Sequence, residues 1–489
     1  MKIYKCKKCG EKIETDESSY FVCPNCGYEE NIESEELENI IDSFVENILT
    51  DNEEERKIIN KDLSKNCLEI SNNNPIITIN REKCNNCGKC KKICENIVGL
   101  KYDLNVCEEP ICISCGQCVV NCPKGALSFK NNYKEVKRII NSNDKIVVAI
   151  VDVNTYPHLF NIITSSNEKE EKLVGALKKL GFDYVFNGGF SCDLNTIEEV
   201  TEFAERLKNK QLLPMISSSC PSCNNYLQIY HPELLKNIST CKNPIQMHSA
   251  LVKEYYSKEK ELDINKIITV SISTCTSVKE NYNDKLNVDY NITLNELLIM
   301  LKEDNIDLNN IESLEYDKIL SERSGSSYLY ATIGGQSESF VRTFNRILKK
   351  NKLKLEEVEV RELREVNGIK ETIIKVGDYP LRIAVVEGLL NLEKLILKDR
   401  YKKYHYIEVK NCNSGCLGGS GKTYSNEKVN LNIDKIYKKD RNIVKRCAHD
   451  NREIKDIYKN YLTKPLSEKC LKILHRGFKD ESYKLNQNK

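Results

Sequence analysis

The chain has 489 residues, of which 40% are hydrophobic and 30% are charged, and its formal net charge is +2. This length predicts roughly two to four domains, and the small net charge disfavours a general binder of nucleic acid. The sequence contains no apolar run of transmembrane length, and its N-terminus lacks the apolar segment of a signal peptide. We therefore expect a cytoplasmic protein with neither a membrane nor a nucleic acid as partner.

Cysteine is the residue whose number and spacing are most informative. The chain has 23 cysteines, and sixteen of them fall into spacings typical of metal ligands. In a chain without an export signal, such cysteines bind metal more often than they form disulfides. The sequence therefore predicts a metalloprotein with several separate sites.

Residues 1–28 contain two short cysteine pairs, each followed by glycine. Cys6 and Cys9 form the first pair, and Cys23 and Cys26 form the second. Four thiolates at this spacing suit a tetrahedral site, so the segment resembles a zinc ribbon; a rubredoxin-type iron site and an unmetallated remnant are the alternatives. The first 66 residues contain 17 acidic and 9 basic side chains, which disfavours phosphate binding. We predict a structural zinc site or a docking site for a protein.

Residues 29–74 are acidic and rich in asparagine, which is typical of a linker. Within them, apolar residues recur at a spacing that places them on one face of a helix. These residues are Leu37, Ile40, Ile41, Phe44 and Ile48. The segment is therefore predicted to be an acidic helical linker.

Residues 75–131 contain two similar cysteine runs, which form an internal repeat. Both runs have the spacing C-x2-C-x2-C-x3-C, and proline follows the last cysteine of the second run, as in bacterial two-cluster ferredoxins. The fourth cysteine of each run is expected to bind the cluster of the other run, and a zinc module with this spacing is the alternative. The predicted ligands are Cys84, Cys87, Cys90 and Cys122 for one 4Fe–4S cube, and Cys94, Cys112, Cys115 and Cys118 for the other.

From about residue 144 the pattern changes to alternating strands and helices, which is typical of an α/β domain. We assign residues 140–479 to this domain and residues 480–489 to a frayed polar tail. Buried strands are predicted at 145–151, 212–217, 266–272, 381–386 and 406–409. Helices are predicted at 169–180, 196–209 and 338–350.

Three segments of this domain carry a family resemblance. They are SSSCPSC at 217–223, STCTSVKEN at 273–281 and EVKNCNSGCLGGSG at 408–421. Together with intervening text such as IGGQSESFVRT at 333–343, they resemble the signature segments of FeFe-hydrogenases, the iron-only hydrogenase large subunits. The resemblance covers about 75–475. It implies a two-lobed α/β catalytic domain with a cubane between the lobes, connected to the ferredoxin-like α+β domain.

The resemblance also implies which cysteines hold the catalytic cluster. The four family ligands of the cubane match Cys220, Cys275, Cys412 and Cys416, and in the family the last of these also bridges to a two-iron subsite. Each segment follows a predicted buried strand, so these cysteines are expected to converge where strand ends open a crevice. Four unrelated buried cysteines are the alternative. Cys223, near the first ligand, is a further candidate ligand.

Several positions depart from the family. Its proton-relay cysteine is Ser219 here, and a hydroxyl is a poor proton donor because it does not titrate near neutral pH, whereas a thiol titrates near 8.5. The lysine that contacts the cyanide ligands is Val278, and the glutamate that ends the same segment is Asn281. Ser273 and Lys410 occupy the positions of two methionines near the subsite.

Other relay positions match the family. Glu199, Glu202 and Ser239 correspond to the acidic chain that conducts protons outward in active hydrogenases. Two simpler interpretations are open: Thr196 and Glu199 could form a helix capping box, and Glu202 could be an ordinary surface residue.

Three functions are consistent with these features. The first is a slow or hydrogen-sensing hydrogenase that assembles the two-iron subsite and receives electrons through the two ferredoxin-like clusters. The second is a non-catalytic electron carrier or iron–sulfur assembly factor that holds only the cubane. The third is a fast hydrogenase with an altered proton path. The expected partners are a soluble electron carrier such as ferredoxin and a signalling or redox protein.

Overall fold

A computed structural model describes residue 68 and residues 70–100, 111–279, 284–350, 364, 368–376, 379–423 and 433–486, together with four short strands near the N-terminus. The chain divides into two compact units, Met1–Asn60 and Lys61–Lys489. Within the described residues, no helix combines the length and apolar character needed to cross a membrane.

The strands, numbered in chain order, are β1 Lys2–Lys5, β2 Lys12–Thr15, β3 Tyr20–Val22, β4 Glu29–Asn31, β5 Ile77–Ile79, β6 Leu127–Phe129, β7 Ile146–Val151, β8 Tyr184–Asn187, β9 Met215–Ile216, β10 Ile267–Ser273, β11 Tyr290–Thr293, β12 Ile369–Val376, β13 Tyr379–Glu387 and β14 Tyr406–Lys410.

The described α-helices of four or more residues are α1 Lys89–Lys92, α2 Gln117–Val120, α3 Tyr133–Ser142, α4 Tyr156–Ile162, α5 Lys169–Leu180, α6 Gly189–Asn209, α7 Pro221–Tyr230, α8 Pro244–Leu251, α9 Leu294–Glu303, α10 Gly325–Leu329, α11 Gly335–Lys350, α12 Leu389–Ile396, α13 Ile433–Asn442, α14 Arg452–Ile457, α15 Glu468–Leu474 and α16 Tyr483–Asn486.

The N-terminal unit contains two antiparallel hairpins, β1–β2 and β3–β4. The predicted zinc ligands Cys6, Cys9, Cys23 and Cys26 lie in the connections of these hairpins, outside the described residues. The predicted linker helix over residues 37–48 also lies outside them. Strand β4 begins at the residue where we predicted the linker to start, so the hairpin region extends to Asn31 rather than ending at residue 28.

Residues 77–129 form a small α+β arrangement around the two cysteine runs. Strands β5 and β6 pair antiparallel and bring the two ends of this segment together. One short helix, α1 or α2, begins within each run, and each begins after a glycine with a left-handed backbone, Gly88 at φ 71° and Gly116 at φ 70°. The internal repeat of the sequence therefore corresponds to a repeated local structure.

The larger α/β region contains two four-stranded sheets. The first has the order β11-β10-β7-β8, and all its strands are parallel. The second has the order β12-β13-β14-β9, with β12 as an antiparallel edge strand. Strand β7 has the sequence IVVAIV, and such uninterrupted apolar runs are typical of parallel strands covered on both faces. These two sheets confirm the predicted α/β domain.

Helix α6 connects the two sheets. Its N-terminal half packs with Phe186 and Met247 beside the first sheet, through Phe190. Its C-terminal half packs through Phe203 against Tyr406 of the second sheet, with the two ring centroids 6.1 Å apart. The polar side chains in the middle of α6 therefore lie between the two lobes.

The structure corrects several predicted boundaries. Helix α6 begins at Gly189 rather than 196, and α11 begins at Gly335 rather than 338. The predicted polar tail contains helix α16, and the backbone N–H of Glu481 in the same segment donates to the carbonyl of Gln228. Strands β8, β11 and β12 were not predicted: β8 and β11 have only four residues each, and β12 mixes charged with apolar residues, as edge strands often do.

Candidate metal centre

The four cysteines predicted to hold the catalytic cubane meet around one cavity. The space not filled by protein atoms in this cavity and its opening to solvent is about 700 Å³, and the cavity lies at the carboxyl ends of strands from both sheets. Cys220 follows β9 and Cys275 follows β10. Cys412 and Cys416 follow β14. Carboxyl ends of parallel strands are where α/β folds bind ligands, and the cavity has this position.

The protonation of these thiols shows how closely they are grouped. Burial raises the pKa of Cys275, and the neighbouring Cys416 and Cys220 raise it further. Burial likewise raises the pKa of Cys416 to about 11, although Lys410 opposes this effect. A hydrogen bond from Cys223 lowers the pKa of Cys220 to about 6. Burial and crowding thus disfavour the thiolate forms of Cys275 and Cys416, and a bound metal would supply the positive charge that those thiolates need.

Two glycines permit the close backbone packing that shapes the cavity. A Cβ atom on Gly419 would lie 2.3 Å from the carbonyl oxygen of Thr274, the residue before the ligand Cys275. Gly415 has a φ of +73°, and a Cβ atom there would lie 2.6 Å from the carbonyl oxygen of Ala331. The loop that carries Cys416 therefore lies directly on the segment that carries Cys275.

The first ferredoxin-like set of cysteines surrounds a second, smaller cavity. Cys84, Cys87 and Cys90 of the first run line it together with Cys122 of the second run. Its unfilled space is about 320 Å³. The structure therefore brings together the crossed set of four that the sequence predicted.

The second ferredoxin-like set is also grouped. The hydrogen bond from Cys94 to Cys118, followed by burial, raises the pKa of Cys94, and the charges of Cys115 and Cys112 add to this effect. The fourth cysteine of the first run therefore lies with three cysteines of the second run, as predicted.

This second set adjoins the larger cavity. Cys115 lines that cavity, and its carbonyl accepts a hydrogen bond of 2.5 Å from the hydroxyl of Ser420, in the loop that carries Cys416. The amide of Gln117 lies 3.8 Å from the sulfur of Cys412. Clusters at the two sites would therefore be separated by only a thin layer of protein.

A hydrogen-bonded chain leads from the cavity to Glu199. The hydroxyl of Ser219, which lines the cavity, donates to Oε1 of Gln336 at 2.7 Å. Nε2 of Gln336 donates to Glu199 at 2.9 Å and to the hydroxyl of Ser217 at 2.6 Å. Burial raises the pKa of Glu199 to about 7. Gln336 was not among the predicted residues.

Glu202 and Ser239 form a separate polar group further along α6. The hydroxyl of Ser239 donates to Glu202 at 2.7 Å, and Arg206 donates to the other carboxylate oxygen at 2.6 Å. Glu202 is 7% exposed, so it is not an ordinary surface residue. Oε1 of Glu199 is buried without a hydrogen-bond partner, so the two carboxylates are not directly bonded.

The capping-box interpretation of Glu199 is wrong. Thr196 lies inside α6, seven residues after its first residue Gly189, and its hydroxyl donates to the carbonyl of Cys192 at 2.9 Å. A capping box requires the threonine at the helix start.

The positions that depart from the hydrogenase signature segments lie in or next to the cavity. Val278 and Lys410 both line it. Ser273 donates to the buried carboxylate of Asp152 at 2.8 Å. Cys223 is not among the residues that line the cavity, although its thiol is hydrogen-bonded to Cys220, which does line it. Asn281 lies outside the described residues.

Ligand-type atoms of Glu202, Cys241 and His475 also lie within 4.8 Å of one another. Each ring nitrogen of His475 already has a partner, Thr240 at 2.8 Å and Glu198 at 3.2 Å. With Glu202 bonded as described above, this group is a hydrogen-bonded network rather than a set of open metal ligands.

Comparisons with known proteins agree with this geometry. The family model for the iron-only hydrogenase large subunit, C-terminal domain, matches residues 146–420, and the model for the iron hydrogenase small subunit matches 426–481. Iron hydrogenase 1 of Clostridium pasteurianum is 30% identical over 82% of this chain and 76% of its own. A cytosolic Fe-S cluster assembly factor, narfl of Danio rerio, is 27% identical over 70% of this chain and 88% of its own.

A solved structure shows the same fold. It is a variant of apo FeFe-hydrogenase HydA1 from Chlamydomonas reinhardtii, which covers 72% of this chain and 99% of its own with a TM-score of 0.61 and 26% identity. The family model spans more than half of the chain, and the residues it spans include all four cysteines around the larger cavity. The chain therefore belongs to the iron-only hydrogenase family.

Proposed function

We propose that this chain is an iron–sulfur redox protein that interconverts protons and hydrogen slowly, as a minor or hydrogen-sensing hydrogenase. The observation that supports this most directly is the cavity itself. Four cysteines from three separate segments border this one cavity. Family membership makes iron–sulfur clusters the expected cofactors.

The residues present fit a cubane. Four buried or half-buried thiols converge on the cavity, and Gly419 allows the two ligand-bearing loops to touch. The proposed ligands are Cys220, Cys275, Cys412 and Cys416. A cubane with a two-iron subsite, when bound, supplies the redox chemistry that joins two protons and two electrons into hydrogen.

Electrons would reach this site through the ferredoxin-like clusters. The set that contains Cys115 adjoins the larger cavity, whereas no cysteine of the set that contains Cys87 lines it. Each set includes one exposed cysteine, Cys87 or Cys112. This arrangement suits a path from a soluble carrier such as ferredoxin, through the ferredoxin-like sites, to the larger cavity. The same surface would serve a redox or signalling partner.

Proton delivery is the step that this chain's residues make slow. Ser219 lines the cavity at the position of the family's relay cysteine, but its hydroxyl does not titrate near neutral pH. Its proton is directed to the amide oxygen of Gln336, and an amide neither gains nor loses protons readily near neutral pH. Glu199, with its pKa raised to about 7, is suited to carry a proton but lies beyond this amide.

A second function is favoured by a different observation. Val278 is apolar and 9% exposed, and it stands where the family has a lysine that contacts the cyanide ligands of the two-iron subsite. The loss of this lysine suits a protein that holds only the cubane. Relatives named as cytosolic Fe-S assembly factors match most of this chain. In that case the chain would act as an electron carrier or an assembly factor.

Infrared spectroscopy distinguishes the two functions. The chain is produced anaerobically with and without the hydrogenase maturation proteins. Bound carbon monoxide and cyanide absorb where protein does not, so bands that depend on maturation would support the hydrogenase. The cubane of the larger cavity is the third cubane of the chain, after the two ferredoxin-like ones. If the matured protein contains this third cubane in full but shows no such bands, the electron-carrier or assembly function takes the place of the hydrogenase function.

We further propose zinc at Cys6, Cys9, Cys23 and Cys26. Each cysteine pair falls between the two strands of a hairpin, the position that zinc knuckles occupy in ribbons. Changing Cys6 and Cys9 to serine should release zinc and leave about twelve cubane irons in place, as three four-iron clusters require. If the iron content falls with the zinc, the N-terminal unit is not independent of the clusters.

A further inference from the structure

Lys410 is a buried cation without an anionic side chain in contact. It ends strand β14, is 1% exposed, and lines the larger cavity. Its Nζ lies 3.8 Å from the sulfur of Cys416, 3.4 Å from Oε1 of Gln336 and 5.0 Å from the ring centroid of Tyr330. Among the described residues no carboxylate forms an ion pair with it.

The nearby carboxylates are engaged elsewhere. Glu408 accepts from the backbone N–H groups of Gly334 and Ser337, at 3.0 and 2.7 Å. Asp152 accepts from Ser273 and Asn154, both at 2.8 Å. Both carboxylates interact with Lys410 electrostatically, but neither forms an ion pair with it. A buried ammonium without an ion-pair partner is unfavourable, so an anion beside Cys416 in the cavity would stabilise the charge of Lys410.

Two other lysines, Lys279 and Lys422, lie near this cavity without lining it, and Lys422 interacts electrostatically with Cys412. Lys279 follows Val278 in the chain, but its Nζ donates to Glu296 at 2.8 Å and to the carbonyl of Lys130 at 2.8 Å. It is not among the residues that line the cavity. Of the lining residues, which all lie in the described chain, Lys410 is the one lysine or arginine.

We propose that Lys410 supplies the positive charge of the cluster cavity and acts on the cubane through Cys416. The cation of the cavity therefore belongs to the second sheet, at the end of β14. It does not belong to the segment after β10, which contains Val278. A cubane held by four thiolates is anionic, and a fixed cation 3.8 Å from one ligand sulfur stabilises its more negative, reduced form. Lys410 thereby raises the reduction potential of this cubane. The inference rests on the cubane of the proposed function but not on the two-iron subsite.

The test uses the full chain reconstituted anaerobically with iron and sulfide alone, so that no two-iron subsite is supplied. The midpoint potential of the third cubane is measured by EPR-monitored redox titration, and its signal is identified as the one lost in Cys220→Ser. In Lys410→Met the equilibrium constant for one-electron reduction should fall about tenfold or more, which corresponds to about 59 mV. Lys410→Arg should keep the potential close to that of the unchanged chain.

Two further variants separate the charge from a general disturbance. Val278→Lys added to Lys410→Met should recover part of the lost potential, because it returns a cation to the same cavity. Lys253→Met is the matched control: Lys253 is 4% exposed and paired with Asp289 at 2.9 Å, but it does not line the cavity. This control should leave the potential unchanged.

Each outcome decides the proposal. An unchanged potential in Lys410→Met, or an equal shift in Lys253→Met, would overturn it. Absence of a third cubane in the unchanged chain would overturn both this role and the proposed function. A lowered potential in Lys410→Met together with absent carbon monoxide bands in matured protein would support the role of Lys410 and sink only the hydrogen chemistry.

Discussion

Ser219 donates a hydrogen bond of 2.7 Å to Oε1 of Gln336, and this amide lies between the cavity and Glu199. The chain of hydrogen bonds is continuous, yet two of its members do not titrate near neutral pH. We therefore expect proton transfer along this chain to be limited by the chemistry of Ser219 and Gln336 rather than by a gap between hydrogen-bonded groups.

The first prediction follows from this contact. Ser219→Cys should raise hydrogen evolution roughly 10-fold, because a titrating group near the operating pH contributes about 10²–10⁴-fold in general acid catalysis. Gln336→Glu should add to this, since it places a carboxyl between the thiol and Glu199. The rate is measured with reduced viologen and expressed per carbon monoxide-bearing site. Gln336→Met is the control for the loss of the amide alone, and equal rates in Gln336→Glu and Gln336→Met would rule out a relay.

The second prediction concerns the pH dependence of stability. Burial raises the pKa of Glu199 to about 7 from 4.5, so the folded chain retains a proton that the unfolded chain has lost between these values. This carboxyl therefore costs stability that increases as pH rises through this window. Glu199→Gln should stabilise the chain, and by about 1 kcal/mol more at about pH 8 than at about pH 6. Thermal midpoints at both pH values check this; a gain that is independent of pH would show that Glu199 titrates normally.

The third prediction tests the crossed ligation. Cys94 donates to Cys118, while Cys122 lines the cavity of Cys84, Cys87 and Cys90. Cys94→Ala should therefore damage the cluster of the second run, and Cys122→Ala the cluster of the first. EPR of the reduced variants should show two different losses. Were each variant to lose the cluster of its own run, the ligation would be uncrossed.

The fourth prediction concerns the loop contact beneath the larger cavity. A Cβ atom on Gly419 would lie 2.3 Å from the carbonyl oxygen of Thr274, which is backbone and cannot rotate away. Gly419→Ala should cost about 1–3 kcal/mol and separate Cys416 from Cys275, so the third cubane should be lost first. Gly477→Ala is the matched control, because a Cβ atom there meets nothing within 4 Å. Iron content and thermal midpoint are compared in both variants, and full iron in Gly419→Ala would contradict the expected displacement.

Much of the fold was predictable because its signals are local. The largely apolar runs at 145–151, 266–272, 381–386 and 406–409 correspond to β7, β10, β13 and β14, since strands buried on both faces are mostly apolar. The short strands β8 and β11 were missed because four residues carry too little pattern.

The sequence by itself determined which cysteines could act together. Their spacing of two or three residues is set by the geometry of one metal cluster, so it can be read without a structure. Signature segments then connected Cys220, Cys275 and Cys412 across nearly two hundred residues. No comparable spacing in the sequence predicts which polar residues surround these cysteines.

Only the tertiary structure decided what surrounds those cysteines. Ser219 and Gln336 are separated by 117 positions, and no periodicity links them. In the sequence, Lys410 stands where the family has a methionine. Only its burial beside Cys416 in the structure identifies it as the cation of the cavity. Glu202 resembles a surface residue until α6 is placed between two sheets. Hydrogen bonds and burial depend on which distant elements meet, and that is settled by packing of the whole chain rather than by any segment of it.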